Sequence, residues 1–492
     1  MSEVLNNDKL IIIWLDANID PKLERDLHCA VSVLKVFQDP DQCVDHIISF
    51  ENGENVLLIV SGSYGRNIVP LIYQISQLVW IYIYCINKQV NEQWAKNYEK
   101  IHGVFTEKQE LLAKLNKDIY VYTRNVEQIT SSVCTNLGNS TRPLTEEKVT
   151  FMWFQLLIEI LLLTPQLPIA LDEMLNICSR DYIDNHAEQT NITEFKQALI
   201  PEKAVWWYTR DTFLYKLLNK ALRTQNIDDI FRFRYFIVHL HNQLTQLHRD
   251  YIKSFADKSK ELICYRGQQI TSNELERLKK DLGSLISMNG FLSTTTSFHV
   301  AKEFALKNIS SNTKPILFHI HIDLTVPTST PFANISQWSA FKAEDEVLFS
   351  LGAVFRLDLI KQEGNLLHIH LKMGTVEMDP QVKALLDYTR QEICSTRMTF
   401  STYGKFLALM SEFDSSIKYF KQLLIQLPNN HPDLATINND MAYAYRESHQ
   451  FNEALEYYNE AIRRRELQTR MSSNDHNLDL AQSYGEVGWL HM

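Results

Sequence analysis

The stretch that decides the fold of the central part of this chain begins with LICYRG at residues 262–267 and ends with LLHIHLKM at residues 366–373. Between them lie further short segments that alternate or are rich in β-branched residues: GFLSTTT (290–296), ILFHIHIDL (316–324), DEVLFSL (345–351) and AVFRLDLI (353–360). Such segments predict an antiparallel or mixed sheet over residues 262–372. The preceding residues 145–260 have helical periodicity, so we expect an α+β domain over residues 145–375 with a helical lobe before its sheet.

The N-terminal residues 8–130 alternate continuous apolar runs such as NVLLIVSG with amphipathic runs such as EKQELLAKLNKDI. This rhythm predicts a five-stranded, doubly wound parallel sheet of flavodoxin-like type. Such sheets bind ligands at the carboxyl ends of their strands, where residues 16–18 and 61–63 lie. A phospho-receiver domain would need an acceptor Asp after the third strand, but Ser61 and Gly62 stand there. We therefore expect a binding or scaffolding domain without chemistry of its own.

Residues 390–492 are helical by periodicity, and their pattern repeats. Phe413, Ile417, Tyr419 and Phe420 recur as Phe451, Leu455, Tyr457 and Tyr458. Aromatic and small residues at these offsets allow pairs of antiparallel helices to stack into a solenoid. The spacing resembles the extended tetratricopeptide repeats of kinesin light chains, which implies a protein partner, and we expect the last repeat to be incomplete. The predicted fold class is multidomain: α/β, then α+β, then an α-solenoid.

Composition and charge exclude several function classes. The 492 residues are 45% apolar and 22% charged, which is typical of globular proteins with about three domains. The net charge is −10 and the basic residues form no block, so we expect no nucleic-acid partner. The seven cysteines include no Cys-x-x-Cys pair, which predicts neither a zinc knuckle nor a disulfide framework and favours a reducing compartment.

No targeting or membrane segment is predicted. The first apolar run is not preceded by a basic region, as a signal peptide would require. The most apolar later run, residues 151–171, is interrupted by Glu159, Pro165 and Pro168, so we do not expect it to span a bilayer. Together with the cysteine pattern, this favours a cytoplasmic protein without a membrane partner.

Three short motifs in the predicted sheet are candidates for a shared site. Arg266 ends an apolar strand, and Gly267 offers a backbone that a ligand can approach closely. Ser293 lies on a strand that follows a turn. Glu344 and Glu346 would share one face of a strand, and two neighbouring carboxylates suit the stabilisation of a cation and the handling of a proton. Each motif alone also has a plain structural interpretation: a solvated arginine, an ordinary β-forming stretch, and an acidic loop before a strand.

The order Arg, Ser, Glu-x-Glu on successive strands resembles the arginine-specific mono-ADP-ribosyltransferases of the R-S-E class. The run WWYTRDTFLYKLLNKALR (206–223) looks like the helical segment that precedes the first strand in that family. The resemblance covers residues 165–372 and implies the ADP-ribosyltransferase fold, NAD+ as co-substrate and no metal. Phe341 stands where the family's substrate-recognition loop carries an aromatic residue. One departure is Thr295 at the third position of the family's Ser-Thr-Ser motif, and because the hydroxyl is kept we expect activity to survive.

The resemblance also implies a role for each motif residue. Arg266 would contact NAD+, the backbone of Gly267 would meet the nicotinamide amide, and Ser293 would orient the nicotinamide ribose. Glu346 would hold a ribose hydroxyl and stabilise the oxocarbenium ion. Glu344 would bind the guanidinium of the acceptor.

A rival constellation lies on two other predicted strands. His319 and His321 in FHIHID, and His368 and His370 in LLHIHL, are two His-x-His pairs, each on one face of its strand. Adjacent strands would bring the four imidazoles together, as a metal site requires. No carboxylate or cysteine completes a ligand set at a suitable spacing, so we favour simple packing of these side chains.

The sequence therefore predicts an enzyme that transfers ADP-ribose from NAD+ to arginine side chains of target proteins and releases nicotinamide. Its expected partners are a protein-arginine acceptor and a protein bound by the repeats. Two alternatives remain: an interaction scaffold in which the repeats do the work, and an NAD+ glycohydrolase with water as acceptor. Intact Arg266, Ser293 and Glu346 argue against the scaffold, and Glu344 argues for arginine over water.

Overall fold

A computed structural model of the chain describes residues 9–490, with gaps at 31–33, 50–53, 76, 99, 126–130, 135–145, 168, 184, 199–200, 211, 256–258, 308–312, 329, 341–344, 376–377, 394–397 and 472–476. The chain forms two compact units. One contains Met1–Glu127, Leu175–Ala198 and Asp211–Phe213, and the other contains Gln128–Met174, Leu199–Arg210 and Leu214–Met492. None of the helices in the described ranges combines the length and the hydropathy that a bilayer span requires.

The N-terminal unit is built on a parallel sheet, as its continuous apolar runs predict. The described strands are β1 (Lys9–Leu15), β2 (Leu34–Phe37), β3 (Glu54–Ser61), β4 (Leu78–Tyr84) and β5 (Ile101–Phe105). Their order is β2-β1-β3-β4-β5, and each neighbouring pair is parallel. The prediction of a parallel sheet is therefore confirmed.

Both faces of this sheet are buried. The helices that alternate with the strands are α1 (Pro21–Ala30), α2 (Pro40–Ile48), α3 (Gly62–Ile72), α4 (Lys88–Ala95) and α5 (Lys108–Asn125). Along β1, Ile11 and Ile13 belong to one apolar cluster, whereas Ile12 and Trp14 belong to another. Successive side chains of a strand point to opposite faces of the sheet. Because both faces are buried here, apolar residues occupy successive positions of the strand and do not alternate with polar ones.

The second unit contains a mixed sheet of nine described strands in the order β11-β12-β9-β7-β10-β14-β13-β8-β6. They are β6 (Ser131–Cys134), β7 (Glu261–Thr271), β8 (Leu285–Met288), β9 (Leu292–Thr295), β10 (Thr313–Asp323), β11 (Phe332–Asn334), β12 (Glu346–Phe349), β13 (Ala353–Glu363) and β14 (Leu366–Gly374). Strands β10 and β14 pair in parallel, and the other described pairs are antiparallel. The sheet is thus mixed, as expected, and β6 adds a strand before the predicted range.

Helices connect the strands of this sheet and follow its last strand along the chain. Those between β6 and β7 are α6 (Glu146–Leu163), α7 (Ala170–Asp181), α8 (His186–Ala198), α9 (Ala204–Thr209), α10 (Phe213–Thr224), α11 (Ile227–Arg232) and α12 (Arg234–Lys253), with a 3-10 turn at Pro201–Lys203. Those between later strands are α13 (Ser272–Lys280) and α14 (Phe298–Leu306). Those after it are α15 (Pro380–Ile393), α16 (Ser401–Leu409), α17 (Phe413–Gln426), α18 (Leu434–Glu447), α19 (Phe451–Met471) and α20 (Asn477–Leu490).

Strand β7 is covered on its two faces by different elements. Cys264 and Ile270 belong to the main core of the sheet, against which Tyr251 of α12 packs. Helix α14 lies on the other face, in direct contact with Gly267. A Cβ atom on Gly267 would lie 1.7 Å from the carbonyl oxygen of Ala301, so only glycine allows the helix this close. Gly267, at which the sequence predicts close approach of a ligand, is therefore also required for the packing of α14.

The helices after β14 form the predicted solenoid. Phe420 of α17 and Tyr458 of α19, two of the repeating aromatic positions, are fully buried in its core. The ring of Tyr403 in α16 stacks on Phe231 of α11, with 3.6 Å between ring centroids and 5° between the planes. Helix α16 of the solenoid therefore packs directly on helix α11.

Candidate active site

Strand β7 places Arg266 between two hydrogen-bond acceptors. Its register against β10 sets Arg266 opposite Phe318. Arg266 Nη1 donates to the carbonyl oxygen of Ser293 at 2.8 Å, and Nε donates to Oε1 of Gln268 at 2.9 Å. The half-buried guanidinium is thereby tied both to its own strand and to strand β9.

Strands β9 and β12 bring Ser293 and Glu346 together. The two strands pair antiparallel, with Leu348 opposite Ser293 and Glu346 opposite Thr295. The Ser293 hydroxyl donates to Oε1 of Glu346. Glu346 is buried, with only 3% of its surface exposed. Arg266, Ser293 and Glu346, which the sequence assigns to one site, therefore lie in one hydrogen-bonded chain across three strands.

Two further predicted site residues, Phe341 and Glu344, lie outside the described residues. Asp345, which stands between the two glutamates in the sequence, is described and exposed. Its Oδ1 accepts from Nδ2 of Asn334 at 2.5 Å, and its Oδ2 accepts from the Thr296 hydroxyl. These contacts fasten the residue before β12 to strand β11 and to the end of strand β9.

Helix α9, in which the predicted helical run 206–223 begins, borders the same strands. The ring of Tyr208 lies 5.2 Å from the ring of Phe291, which immediately precedes β9. The hydroxyl oxygen of Thr209 accepts from the backbone N–H of Ala340 at 2.9 Å. Helix α9 therefore contacts the chain just before the strand of the candidate serine and just before the segment of the first glutamate.

Sequence reasoning missed Gln268, Thr209 and Asn334. Gln268 carried a signal, because it follows Arg266 by two residues on a predicted strand and must therefore share its face. The sequence gives no signal for the other two residues. The contact of Thr209 joins elements that are distant in the chain, and the contact of Asn334 depends on the order of the edge strands.

The cysteine near the site is not a nucleophile. Cys264 precedes Arg266 by two residues on β7, and burial raises the pKa of its thiol to about 12. A thiol with this pKa is protonated at neutral pH, whereas attack requires the thiolate.

The three converging groups, a guanidinium, a hydroxyl and a buried carboxylate, suit the binding of an anionic substrate and the stabilisation of a developing positive charge.

The four histidines of the rival constellation lie on the adjacent parallel strands β10 and β14, and we call His319, His321, His368 and His370 the histidine ladder. Nε2 of His319 is 2.8 Å from Nδ1 of His368, and Nδ1 of His370 is 3.4 Å from Nε2 of His321. Among the described residues, no group of three or more His, Cys, Asp or Glu side chains has the geometry of a metal site. Burial, and then the three neighbouring imidazoles, lowers the pKa of His319 to about 4.

The carboxyl edge of the N-terminal sheet is closely packed. Burial raises the pKa of Asp16 after β1. Oγ of Ser61 lies 3.3 Å from Oγ of Ser63, where α3 begins. A Cβ atom on Gly62 would lie 2.8 Å from Cβ of Cys85, so glycine is needed there. That this domain binds or scaffolds without chemistry stays a prediction.

Solved structures similar to this chain include three ADP-ribosyltransferases. Vis toxin from Vibrio splendidus is 22% identical over 49% of this chain and 91% of its own, with a TM-score of 0.28. HopU1 of Pseudomonas syringae pv. Tomato DC3000 is 16% identical over 42% and 98%, with a TM-score of 0.30. Plx2a from Paenibacillus larvae is 17% identical over 37% and 90%, with a TM-score of 0.27. No curated protein matches the sequence.

Two protein-family models match separate segments of the chain. Residues 180–377 match the family described as NAD:arginine ADP-ribosyltransferase. Residues 395–466 match a tetratricopeptide repeat family. Both resemblances inferred from the sequence motifs are thereby confirmed. The chain contains a domain of the NAD:arginine ADP-ribosyltransferase family, followed by tetratricopeptide repeats.

Proposed function

We propose that this protein transfers ADP-ribose from NAD+ to arginine side chains of target proteins and releases nicotinamide. The observation that carries the proposal is the hydrogen-bonded chain of Arg266, Ser293 and Glu346 inside the transferase-family domain. These residue types fit NAD+ as the substrate. A guanidinium pairs well with a pyrophosphate, and a buried carboxylate suits a ribose that becomes positively charged.

The chemistry follows from the charges in the reaction. The bond between the ribose and nicotinamide breaks, its electron pair leaves with nicotinamide, and the ribose carbon becomes cationic. The carboxylate of Glu346, which is shielded from water, stabilises that cation. Ser293 donates to one of its oxygens and so fixes the orientation of the carboxylate. A guanidine nitrogen of the acceptor then bonds to the ribose carbon and loses a proton.

We assign Glu344 to the acceptor side of this reaction. Arginine is protonated at neutral pH, so a carboxylate is needed to bind it, orient it and accept the proton that it loses on attack. Phe341 is proposed to contact the acceptor, and the backbone of Gly267 to meet the nicotinamide amide. The motif's resemblance to the family supports these three assignments.

The proposal is tested by transfer of labelled ADP-ribose from NAD+ to agmatine or to an arginine-rich protein. We expect Glu346→Gln to lower both transfer and nicotinamide release by about 100- to 1000-fold, because a fixed charge opposite the cation is lost. Glu344→Gln should abolish transfer yet leave hydrolysis of NAD+. The control is Glu276→Gln, the same change at an exposed position of α13, which should keep the wild-type rate.

The alternatives give different results in the same assay. Nicotinamide release without transfer in the wild type would support an NAD+ glycohydrolase. A folded wild type that shows neither reaction would favour the scaffold, in which the repeats carry the function. Equal rates for wild type and Glu346→Gln would contradict the proposed role of the buried carboxylate.

We further propose that the repeats bind a protein partner and that the N-terminal domain is a flavodoxin-like binding or scaffolding domain. The strand order β2-β1-β3-β4-β5 supports the second assignment. We also propose a cytoplasmic location. The described free cysteines, Cys43, Cys85, Cys178 and Cys264, support it, because an oxidising compartment favours paired cysteines.

A further inference from the structure

Gln268 is a buried polar residue beside the guanidinium of the candidate site. It follows Arg266 by two residues on β7, so both side chains leave the same face of the strand. Gln268 is 2% exposed, and its partner across the sheet on β10 is the apolar Ile316. Its Oε1 accepts a hydrogen bond from Nε of Arg266 at 2.9 Å.

The arginine fixes which way the amide of Gln268 points. A guanidinium can only donate, so the atom that faces Arg266 Nε must be the amide oxygen. The amide nitrogen must then point elsewhere. In the part of the chain that the structure describes, Nε2 of Gln268 is buried and has no hydrogen-bond partner.

An unpaired buried N–H lowers the stability of the folded state. An apolar side chain of similar size would fill the same space beside Ile316 without that loss. Gln268 is therefore a poor choice for packing alone. Among the described residues, the side chain of Gln268 makes one hydrogen bond, and that bond is to Arg266. The polar group of Gln268 therefore serves the guanidinium of Arg266.

Arg266 is held at two points of its planar group. Gln268 takes the Nε hydrogen, and the carbonyl oxygen of Ser293 takes a hydrogen of Nη1 at 2.8 Å. Acceptors on different nitrogens restrict the rotation of the guanidinium plane, and each one removed weakens that restriction. The Ser293 contact is to the backbone, whereas the Gln268 contact is to a side chain and can be removed by substitution.

We propose that Gln268 is a positioning residue that sets the plane of Arg266 for binding the dinucleotide substrate, an inference that rests on the function proposed above. Gln268 acts through the arginine, and removal of its amide should weaken substrate binding before it slows the chemical step. It should also leave the fold about as stable as before, because the loss of the buried unpaired Nε2 offsets the loss of this acceptor for Arg266 Nε.

The test compares Gln268→Met with Gln269→Met in the full-length protein. Methionine has nearly the size of glutamine and cannot accept the Arg266 hydrogen bond well. Gln269 lies on the opposite face of the same strand, where its amide nitrogen donates to the carbonyl oxygen of Lys307 at 2.7 Å. We expect Gln268→Met to raise KM and Kd for NAD+ about tenfold with little change in kcat, as loss of a hydrogen bond to a charged group would do. Its midpoint of thermal unfolding should stay close to that of the wild type, whereas Gln269→Met should keep the wild-type Kd.

A second pair of variants separates action through Arg266 from a general effect. In an Arg266→Lys background, which lacks the Nε donor, Gln268→Met should add no further loss of NAD+ affinity. An undiminished further loss there, or an unchanged Kd in the single variant, would overturn the inference while leaving the proposed function intact. A wild type that does not bind NAD+ would overturn the proposed function, and this inference with it.

Discussion

At the scale of single residues, Ser293 is the link between the other two members of the candidate site. Its carbonyl oxygen accepts from Arg266, and its hydroxyl donates to the carboxylate of Glu346. We expect Ser293→Ala to lower kcat/KM for transfer by roughly 10- to 100-fold, the value of a hydrogen bond to a charged group, because the Glu346 carboxylate loses the hydrogen bond from this hydroxyl. The loss should be smaller than that of Glu346→Gln, and steady-state kinetics with agmatine measures both.

The control for Ser293→Ala is the same change four residues later. Ser297 caps helix α14, where its hydroxyl oxygen accepts from the backbone N–H of Val300 at 3.4 Å. Ser297→Ala should lower the free energy of unfolding by about 1 kcal/mol and leave the kinetics unchanged. Equal kinetic losses in the two variants would mean that Ser293 acts only through local stability.

The sequence was sufficient to place Arg266, Ser293 and Glu346 in one hypothesis, because each lies in a short motif on a strand and the order of the three is specific. It was not sufficient for Thr209, which meets Ala340 across 131 positions of the chain. Such contacts depend on the packing of helix α9 against the sheet, and no local spacing encodes that packing.

At the scale of elements, strand pairing decides what the four histidines do. The sequence shows that each His-x-His pair shares a face but leaves open whether the two strands are neighbours. In the structure β10 and β14 pair in parallel with His319 opposite His370, which brings the imidazoles into direct contact.

Sequence reasoning also missed β6, because SSVC is too short to show the period of a strand.

The histidine ladder predicts acid sensitivity. The pKa of His319 is about 4 in the folded protein, and that of His370 is also lowered, chiefly by burial. In the unfolded chain a histidine titrates near 6.5, so between about pH 6.5 and 4 the unfolded state binds more protons than the folded state. The free energy of unfolding should therefore fall as the pH drops through this window, as measured by denaturant titration at several pH values.

Replacing the most perturbed histidine should flatten this dependence. His319→Gln removes the titrating group but keeps a polar side chain beside His368. His299→Gln, the same change at an exposed position of α14, is the control and should keep the wild-type slope. If His319→Gln and wild type lost stability equally between pH 6.5 and 4, the source of the acid sensitivity would lie elsewhere.

At the scale of the whole molecule, the repeats share one compact unit with the mixed sheet, which carries the candidate site. The ring stack of Tyr403 on Phe231 joins the repeats to residues that match the transferase family. Arg390 of α15 pairs with Glu159 of α6 at 2.7 Å, and Gln426 of α17 donates to Glu173 at 3.2 Å. Because aromatic, ionic and amide contacts join the helices after β14 to Phe231, Glu159 and Glu173, we expect the repeats and the mixed sheet to unfold as one cooperative block.

Tyr403 is the residue at which this cooperativity is best tested. It is 2% exposed, and its ring also lies 5.1 Å from that of Tyr419. Tyr403→Ala should destabilise the unit by about 3–5 kcal/mol, because it leaves a cavity the size of an aromatic ring. Although the change lies in the repeats, the transferase activity should be lost at a correspondingly lower temperature.

Tyr388→Ala in α15, where the side chain is 62% exposed, is the matched control and should leave thermal inactivation unchanged. If Tyr403→Ala unfolded the repeats at lower temperature while the transferase kept its wild-type inactivation temperature, the two segments would be energetically independent despite their contacts.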